Sequence, residues 1–356
     1  MNILIFLNDD NYVGGAEGVL RQIGEYYLER GHRLYVLFLR PKKYGGWNSL
    51  GEKGGILLFG GIVKLSSVII KLRHIRFNFS YTSIVDFTSL LGVLRRLHIL
   101  QIDCMVGRES TMIFERFNGI KLLRKKLMYS VGYPAVDILI CQTEKMKEGI
   151  LENLPWLSKY SNIVVIPNPV SMDSMVEKGN APLNVANYHP YIISAGRFIY
   201  EKGFDVLIKA FSELKQEKVN LKLVILGDGP LRGVLEQLIK EQNLCNSVFL
   251  PGFAENVYPW FKKAEMCVLS SRKEGFPNVL LQMMSQNKKV VSTLCAGDIN
   301  TIKGIYTCEP DSLEGLRKAM ADCLKGNISG EEELFEQELR GRSIKRYIKV
   351  VESIKS

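Results

Sequence analysis

Apolar segments short enough to be strands alternate with amphipathic, helix-like segments along almost the whole chain, and few folds accommodate that order. Strands separated by helices pair in parallel, with the helices covering the sheet faces. In the first half strands are expected at Ile3–Leu7, Leu34–Leu39, Ser83–Phe87, Cys104–Gly107, Ile138–Cys141 and Ile163–Ile166. Helices are expected between them, over Ala16–Arg30, Ile62–Ile75, Leu90–His98, Phe114–Val131 and Thr143–Glu152. Pro167-Asn168-Pro169 interrupts the pattern, and residues 171–189 lack periodicity and read as a linker. Alternation restarts at Tyr191–Ala195 and continues through Lys222–Leu226, Ser247–Leu250, Cys267–Leu269 and Val290–Ser292. The expected architecture is α/β: two doubly wound, Rossmann-like domains, residues 1–170 and 190–340, facing across a cleft, then a helical tail, 341–356.

The chain has 356 residues, enough for two ordinary domains, and 46% of them are hydrophobic. No apolar run reaches the ~18 residues of a membrane span. The N-terminal apolar stretch meets Asn8-Asp9-Asp10 too soon for a signal peptide and reads as a buried strand. Seven cysteines, without a C-x-x-C pair, fit a reducing cytoplasm. Residues 1–170 hold 22 Lys and Arg against 14 Asp and Glu, so +8 of the net +10 lies there. The basic clusters, as in Phe114–Val131, are interleaved with apolar residues, which suits peripheral contact with an anionic membrane as well as a solvated helix face. No nucleic-acid module accompanies the charge, so nucleic acid is not an expected partner.

Chemistry concentrates where strands meet helices. Met266-Cys267-Val268-Leu269 runs through Ser270-Ser271-Arg272-Lys273 into Glu274-Gly275-Phe276-Pro277-Asn278-Val279, which opens a helix containing Gln282. Proline suits a first helical turn, and the free N–H groups there favour an anion. A carboxylate ahead of an anion site suits a ligand with phosphate beside hydroxyl-rich groups. The bland alternative is a surface loop before a Pro-capped helix. Earlier, Gly196-Arg197-Phe198-Ile199-Tyr200-Glu201-Lys202-Gly203-Phe204-Asp205 leaves a strand with two cations that together could neutralise a diphosphate. Gly14-Gly15-Ala16-Glu17 follows the first strand, but lacks the third glycine and the later acid of a dinucleotide fingerprint, which counts against a dehydrogenase. Gly227-Asp228-Gly229-Pro230-Leu231 reads chiefly as a structural turn. No Cys/His cluster or Asp-x-Asp element points to a metal.

Taken together, Glu274–Gln282, the Gly196–Asp205 string, the Gly14–Glu17 turn and Gly227–Leu231 resemble the motifs of family-4 retaining glycosyltransferases of the GT-B fold. The resemblance covers nearly the whole chain, with its specific motifs mostly in residues 191–293. It implies a metal-independent enzyme, without cofactor, that moves a sugar from a nucleotide sugar to a glycan or polyprenyl-diphosphate-linked acceptor, as in bacterial surface polysaccharide assembly. It implies that residues 190–340 bind the donor, residues 1–170 bind the acceptor, and the terminal helix crosses back to the first domain. By the same resemblance Arg197, Lys202 and Glu274 act in catalysis. Gly15, Gly275, Phe276, Pro277, Asn278, Val279 and Gln282 join those three in donor binding. The family's second glutamate is replaced here by Gln282. That departure leaves a catalytically silent, sugar-nucleotide-binding relative as an alternative, alongside a sugar-nucleotide epimerase. Where some members place a histidine, this chain has Met105-Val106-Gly107-Arg108-Glu109-Ser110, making Arg108 and Glu109 candidates to face acceptor or sugar. The expected location is the cytoplasm, with peripheral contact at the inner face of the membrane.

Overall fold

The computed structural model describes all residues except 12–14, 41–43, 62–63, 218–219, 327–329 and 356, and it describes no side chains at 216–217. The chain divides into two compact units, Met1–Pro169 with Ile344–Ser356, and Val170–Ser343. The first holds a sheet of strands β1 (Asn2–Leu7), β2 (Arg33–Phe38), β3 (Ile56–Phe59), β4 (Arg76–Thr82), β5 (Gln101–Arg108), β6 (Ile138–Cys141) and β7 (Asn162–Val165). Their order is β3-β2-β1-β4-β5-β6-β7, and every described pairing is parallel. The second holds β8 (Tyr191–Ala195), β9 (Lys222–Leu226), β10 (Val248–Gly252), β11 (Met266–Leu269), β12 (Val290–Thr293) and β13 (Tyr306–Cys308). Their order is β10-β9-β8-β11-β12-β13, again parallel throughout.

Both sheets are buried on both faces, which is why their central strands read as continuous apolar runs. In β1, Leu4 and Phe6 enter one core cluster while Ile3, Ile5 and Leu7 enter the cluster on the other face. In β8, Ile192 faces one core and Tyr191, Ile193 and Ala195 face the other. The order of each sheet reverses once, between β1 and β4 and between β8 and β11. Loops leaving the carboxyl ends of the two strands at such a reversal diverge to opposite faces and leave a crevice.

Several expected boundaries move. The strand expected at Ser83–Phe87 lies upstream as β4, whose Phe77, Phe79 and Tyr81 alternate with polar residues, and a helix already begins at Val85. The edge strands β3 and β13 were not expected. Phe114–Val131 is two helices, Ile113–Arg116 and Gly119–Gly132, with Gly119 at φ 51 where the second begins. Residues 171–189, expected as a linker, lie in the second unit and include the helix Met172–Gly179. The helix Ile344–Lys355 belongs to the first unit, where Tyr347, Ile348 and Val351 are buried with Ile3, Ile5 and Val19. Its Glu352 accepts from the Tyr27 hydroxyl at 3.3 Å. No described helix is long and apolar enough to cross a membrane.

Candidate functional site

In the second unit, the two loops at the sheet's reversal carry the two strongest sequence motifs. Residues 196–203 leave β8, and residues 270–277 leave β11. Close backbone approach holds them together. Gly203 sits at φ 61, and a Cβ there would meet the Ser270 carbonyl oxygen at 2.2 Å, so only glycine fits. The Ser270 hydroxyl donates to the Lys202 carbonyl at 2.9 Å, and the Arg272 amide donates to the Glu201 carbonyl at 2.7 Å.

That clasp brings Lys202 and Glu274, 72 residues apart, into direct contact, with Nζ 2.5 Å from Oε1. The Ser271 hydroxyl donates to the same carboxylate oxygen at 2.9 Å, and the Glu274 amide donates to the Cys295 carbonyl at 2.9 Å. The two side chains are 17% and 19% exposed, so the pair is open to a ligand yet held away from bulk solvent. Lys202 has three donor hydrogens and Glu274 a second oxygen, which leaves capacity on both partners. Burial, then the Glu274 charge, pushes the neighbouring Cys295 thiol up to about 12, so it stays a neutral wall. Arg197 shares the β8 loop but is exposed, and its side chain makes no described hydrogen bond or ion pair.

Phe276 and Pro277 are buried, and the Phe276 ring packs in the core beneath the Arg342 guanidinium, 4.7 Å from the ring centre. Their side chains therefore build the floor of the loop. Gly275 is buried too, while Asn278 and Val279 are half-buried at the start of the helix Asn278–Met284, with Pro277 as its cap. Gln282 is half-buried and donates to the Tyr258 hydroxyl at 3.4 Å. In the Gly227–Leu231 turn, Gly227 has φ 135, and a Cβ there would lie 1.9 Å from the Gly196 carbonyl oxygen, so the close approach of the two loops requires glycine.

Sequence reasoning missed Arg272, which braces both loops. Its guanidinium donates to both Asp205 oxygens, at 2.8 and 2.7 Å, to Asp311 at 2.5 Å and to the Tyr200 carbonyl at 2.8 Å. It also lies 4.1 Å from the centre of the Tyr200 ring. Burial alone would raise the Asp205 carboxyl, but the hydrogen bonds and charge of Arg272, with backbone amides, hold it below its ordinary value. Only the adjacency of Arg272 to Glu274 could have suggested it, since its partners come from distant segments.

In the first unit Gly15 is exposed at the start of the helix Gly15–Leu28, while Gly14 lies outside the described residues. Glu17 and Arg40 line a cavity of about 390 Å³ with Asn8, Asp9, Asp86 and Phe87, beyond the carboxyl ends of β1, β2 and β4. Arg108 and Glu109, the candidates to face acceptor or sugar, are buried. Arg108 donates to the Ser83 hydroxyl at 2.9 Å and to the Asn168 side chain, and burial holds its pKa below the ordinary value. Glu109 accepts from the Tyr133 hydroxyl at 2.8 Å, and its backbone carbonyl accepts from Gln142 at 2.8 Å. Burial pushes the Glu109 carboxyl up to about 7, against the hydrogen bond from Tyr133 and the charge of Arg108.

Residues 189–326 match the family model described as glycosyl transferases group 1, so the second unit carries a domain of that family. An uncharacterized glycosyltransferase of Methanocaldococcus jannaschii is 35% identical over 174 residues, covering 48% of this chain and 42% of the relative. The N-acetylgalactosamine-N,N'-diacetylbacillosaminyl-diphospho-undecaprenol 4-alpha-N-acetylgalactosaminyltransferase of Campylobacter jejuni is 34% identical over 176 residues, 49% of this chain and 46% of the relative. The match thus spans about half the length of these curated relatives. Among solved structures, Anabaena HepE in complex with UDP superposes with a TM-score of 0.78 at 15% identity, covering 99% of this chain and all of that one. At that identity the likeness is one of fold, and the fold is that of the two-domain GT-B glycosyltransferases.

Proposed function

We propose that this chain, whose second unit carries a group 1 glycosyltransferase domain, transfers a sugar from a nucleotide-sugar donor to a hydroxyl of a glycan or lipid-linked acceptor. The observation that carries the reading is the Lys202–Glu274 pair at the sheet's reversal, inside residues 189–326. A cation and a carboxylate sharing one small site suit a ligand in which a diphosphate adjoins a polyol. Lys202 and Arg197 would meet the diphosphate, and the open capacity of Glu274 would accept from sugar hydroxyls. Gln282 would bind the ribose, and the backbone amides at Asn278 and Val279 would face a phosphate oxygen.

As the bond from the anomeric carbon to the phosphate oxygen breaks, negative charge grows on the diphosphate, where Arg197 and Lys202 act most strongly. The acceptor oxygen attacks from the same face and its proton passes to the departing phosphate, so the anomeric configuration is retained. The protein's own cations meet the developing charge, which makes the step metal-independent. In the first unit, the cavity beside Asp9, Glu17 and Asp86 offers carboxylates to the hydroxyls of the acceptor glycan. The Campylobacter jejuni relative is named for a diphospho-undecaprenol acceptor, and that supports a lipid-linked acceptor here.

The test is turnover of a panel of labelled nucleotide sugars with glycan and lipid-diphosphate acceptors. Sugar appearing on the acceptor, with release of the nucleoside diphosphate, is the expected outcome. Tight donor binding without turnover by any acceptor would favour a silent relative, and conversion of the donor without acceptor would favour an epimerase.

A further inference from the structure

The loop ahead of the helix Asn278–Met284 is held by a side chain rather than by its backbone. On one side of it the Glu274 amide donates to the Cys295 carbonyl at 2.9 Å, and on the other the Leu280 amide donates to the Pro277 carbonyl at 3.0 Å. Between those two bonds neither the Gly275 nor the Phe276 amide has a described backbone acceptor. Pro277 has no amide hydrogen to offer. The buried Phe276 ring, packed in one core with Phe335 and Leu339, therefore anchors a stretch that the backbone leaves untied.

Arg342 lies over that ring, its guanidinium carbon 4.7 Å from the ring centre. The side chain is 8% exposed, and its Nε donates to the Glu338 carboxylate at 2.6 Å. Arg342 follows directly on the helix Glu331–Gly341, so its charge also meets the negative end of the helix dipole. Its backbone is fixed as well. The Arg342 carbonyl accepts from the Val170 amide at 2.8 Å, and Val170 and Ser343, the first and last residues of the second unit, pair beside it. One guanidinium nitrogen, Nη1, is buried with no described hydrogen-bond partner. A buried donor left unpaired costs free energy that an aliphatic side chain would avoid, so covering the ring does not by itself account for an arginine here. A planar cation clamped by a carboxylate holds an aromatic face in one place, which a flexible aliphatic chain does not.

We propose that Arg342 is a positioning residue for the donor loop. Clamped by Glu338 and by the pairing at Val170, it fixes the Phe276 ring, and the ring fixes the backbone from Gly275 to Val279. The loop amides then keep one orientation toward the donor's phosphate, and Glu274 keeps its place against Lys202. Arg342 acts through the ring and meets no part of the donor. The proposal rests on the transferase reading for what the loop receives, but not for how the loop is held.

Steady-state kinetics and amide hydrogen exchange on the full chain test it together. Arg342→Met, which removes the planar cation, is expected to lower kcat about tenfold by misplacing the loop, with the acceptor KM within about twofold of wild type. Arg342→Lys, which restores charge without the planar fork, should recover part of that loss. Glu338→Gln, at a more exposed position, frees the guanidinium and should cost about threefold. In Arg342→Met the amides of residues 278–284 should exchange about tenfold faster while those of β12 are unchanged. In the double variant Phe276→Leu/Arg342→Met the second substitution should add less than about twofold, since both act on one ring. Wild-type kcat and exchange in Arg342→Met would overturn the proposal, as would losses that multiply in the double variant. Exchange that rises equally in β12 would also overturn it, marking plain destabilisation. A wild-type chain that turns over no nucleotide sugar would overturn the transferase reading instead, and exchange at 278–284 would still decide the role of Arg342.

Discussion

The carboxyl edges of the two sheets treat charge in opposite ways. In the second unit Lys202 and Glu274 touch each other, lie partly open, and are braced from behind by Arg272. In the first, Arg108 and Glu109 are adjacent in sequence yet turn to separate neutral partners, Ser83 and Asn168 for one and Tyr133 for the other. Solvent-shielded but reachable charge can trade its partner for a ligand. Fully buried charge is committed to holding loops together, and its proton balance then depends on the fold.

The largest effect should break the comparison outright. Glu274→Ala is expected to lower kcat by about a hundredfold to a thousandfold, because the donor sugar loses the carboxylate that orients it. Glu109→Gln should leave transfer within about threefold of wild type, a change of under ~1 kcal/mol. Equal losses in steady-state kinetics would show that both edges do chemistry. Next, Arg197→Ala and Lys202→Ala each remove charged hydrogen bonds worth roughly 1.5–3 kcal/mol, which corresponds to about tenfold to a hundredfold in kcat/KM. Unchanged kinetics in the double variant would remove the diphosphate assignment.

The second unit's site was the more legible of the two. Glycine turns, a strand end and flanking cations sit within short stretches, so Lys202 and Glu274 could be singled out without knowing that they touch. The brace could not: Arg272 depends on Asp205 and Asp311, and no local pattern links positions so far apart. In the first unit, Arg108 and Glu109 read as residues facing acceptor or sugar, and nothing local marks them as buried. Their burial follows from Tyr133, Gln142 and Asn168, which arrive from three other segments. Central strands were plain from their apolar runs. The edge strands β3 and β13 bury less on one side and gave a weaker pattern, and β4 was displaced by the apolar start of the helix that follows it.

Protonation sharpens the contrast at smaller scale. The folded state holds the Glu109 proton up to about 7, against an ordinary value of 4.5, so it binds more protons than the unfolded chain between those limits. Stability contributed by this group is therefore full below about pH 4.5 and is lost as pH rises to about 7, on the order of 2–3 kcal/mol. Glu109→Gln keeps an acceptor for Tyr133 and should flatten that slope in urea unfolding at pH 5 and 7.5. Parallel profiles for the two proteins would mean that Glu109 ionises freely. The smallest expected change is Gln282→Glu, which restores a charged acceptor and should lower the donor KM by about fivefold, roughly 1 kcal/mol. A raised KM would place Gln282 away from the ribose.

The helix Ile344–Lys355 has a consequence for how the molecule comes into being. The first unit is interrupted in the chain by the whole of the second, and its last piece is made last. A nascent segment ending at residue 169 therefore leaves Val19, Tyr27 and Phe79 without the cover that Tyr347, Ile348 and Val351 later supply. Domains usually mature in order of synthesis; here the first to be translated is the last to be sealed. Until residues 344–355 follow the second unit off the ribosome, that apolar surface stays open to chaperones, and any message truncated before residue 344 yields a first unit without that cover.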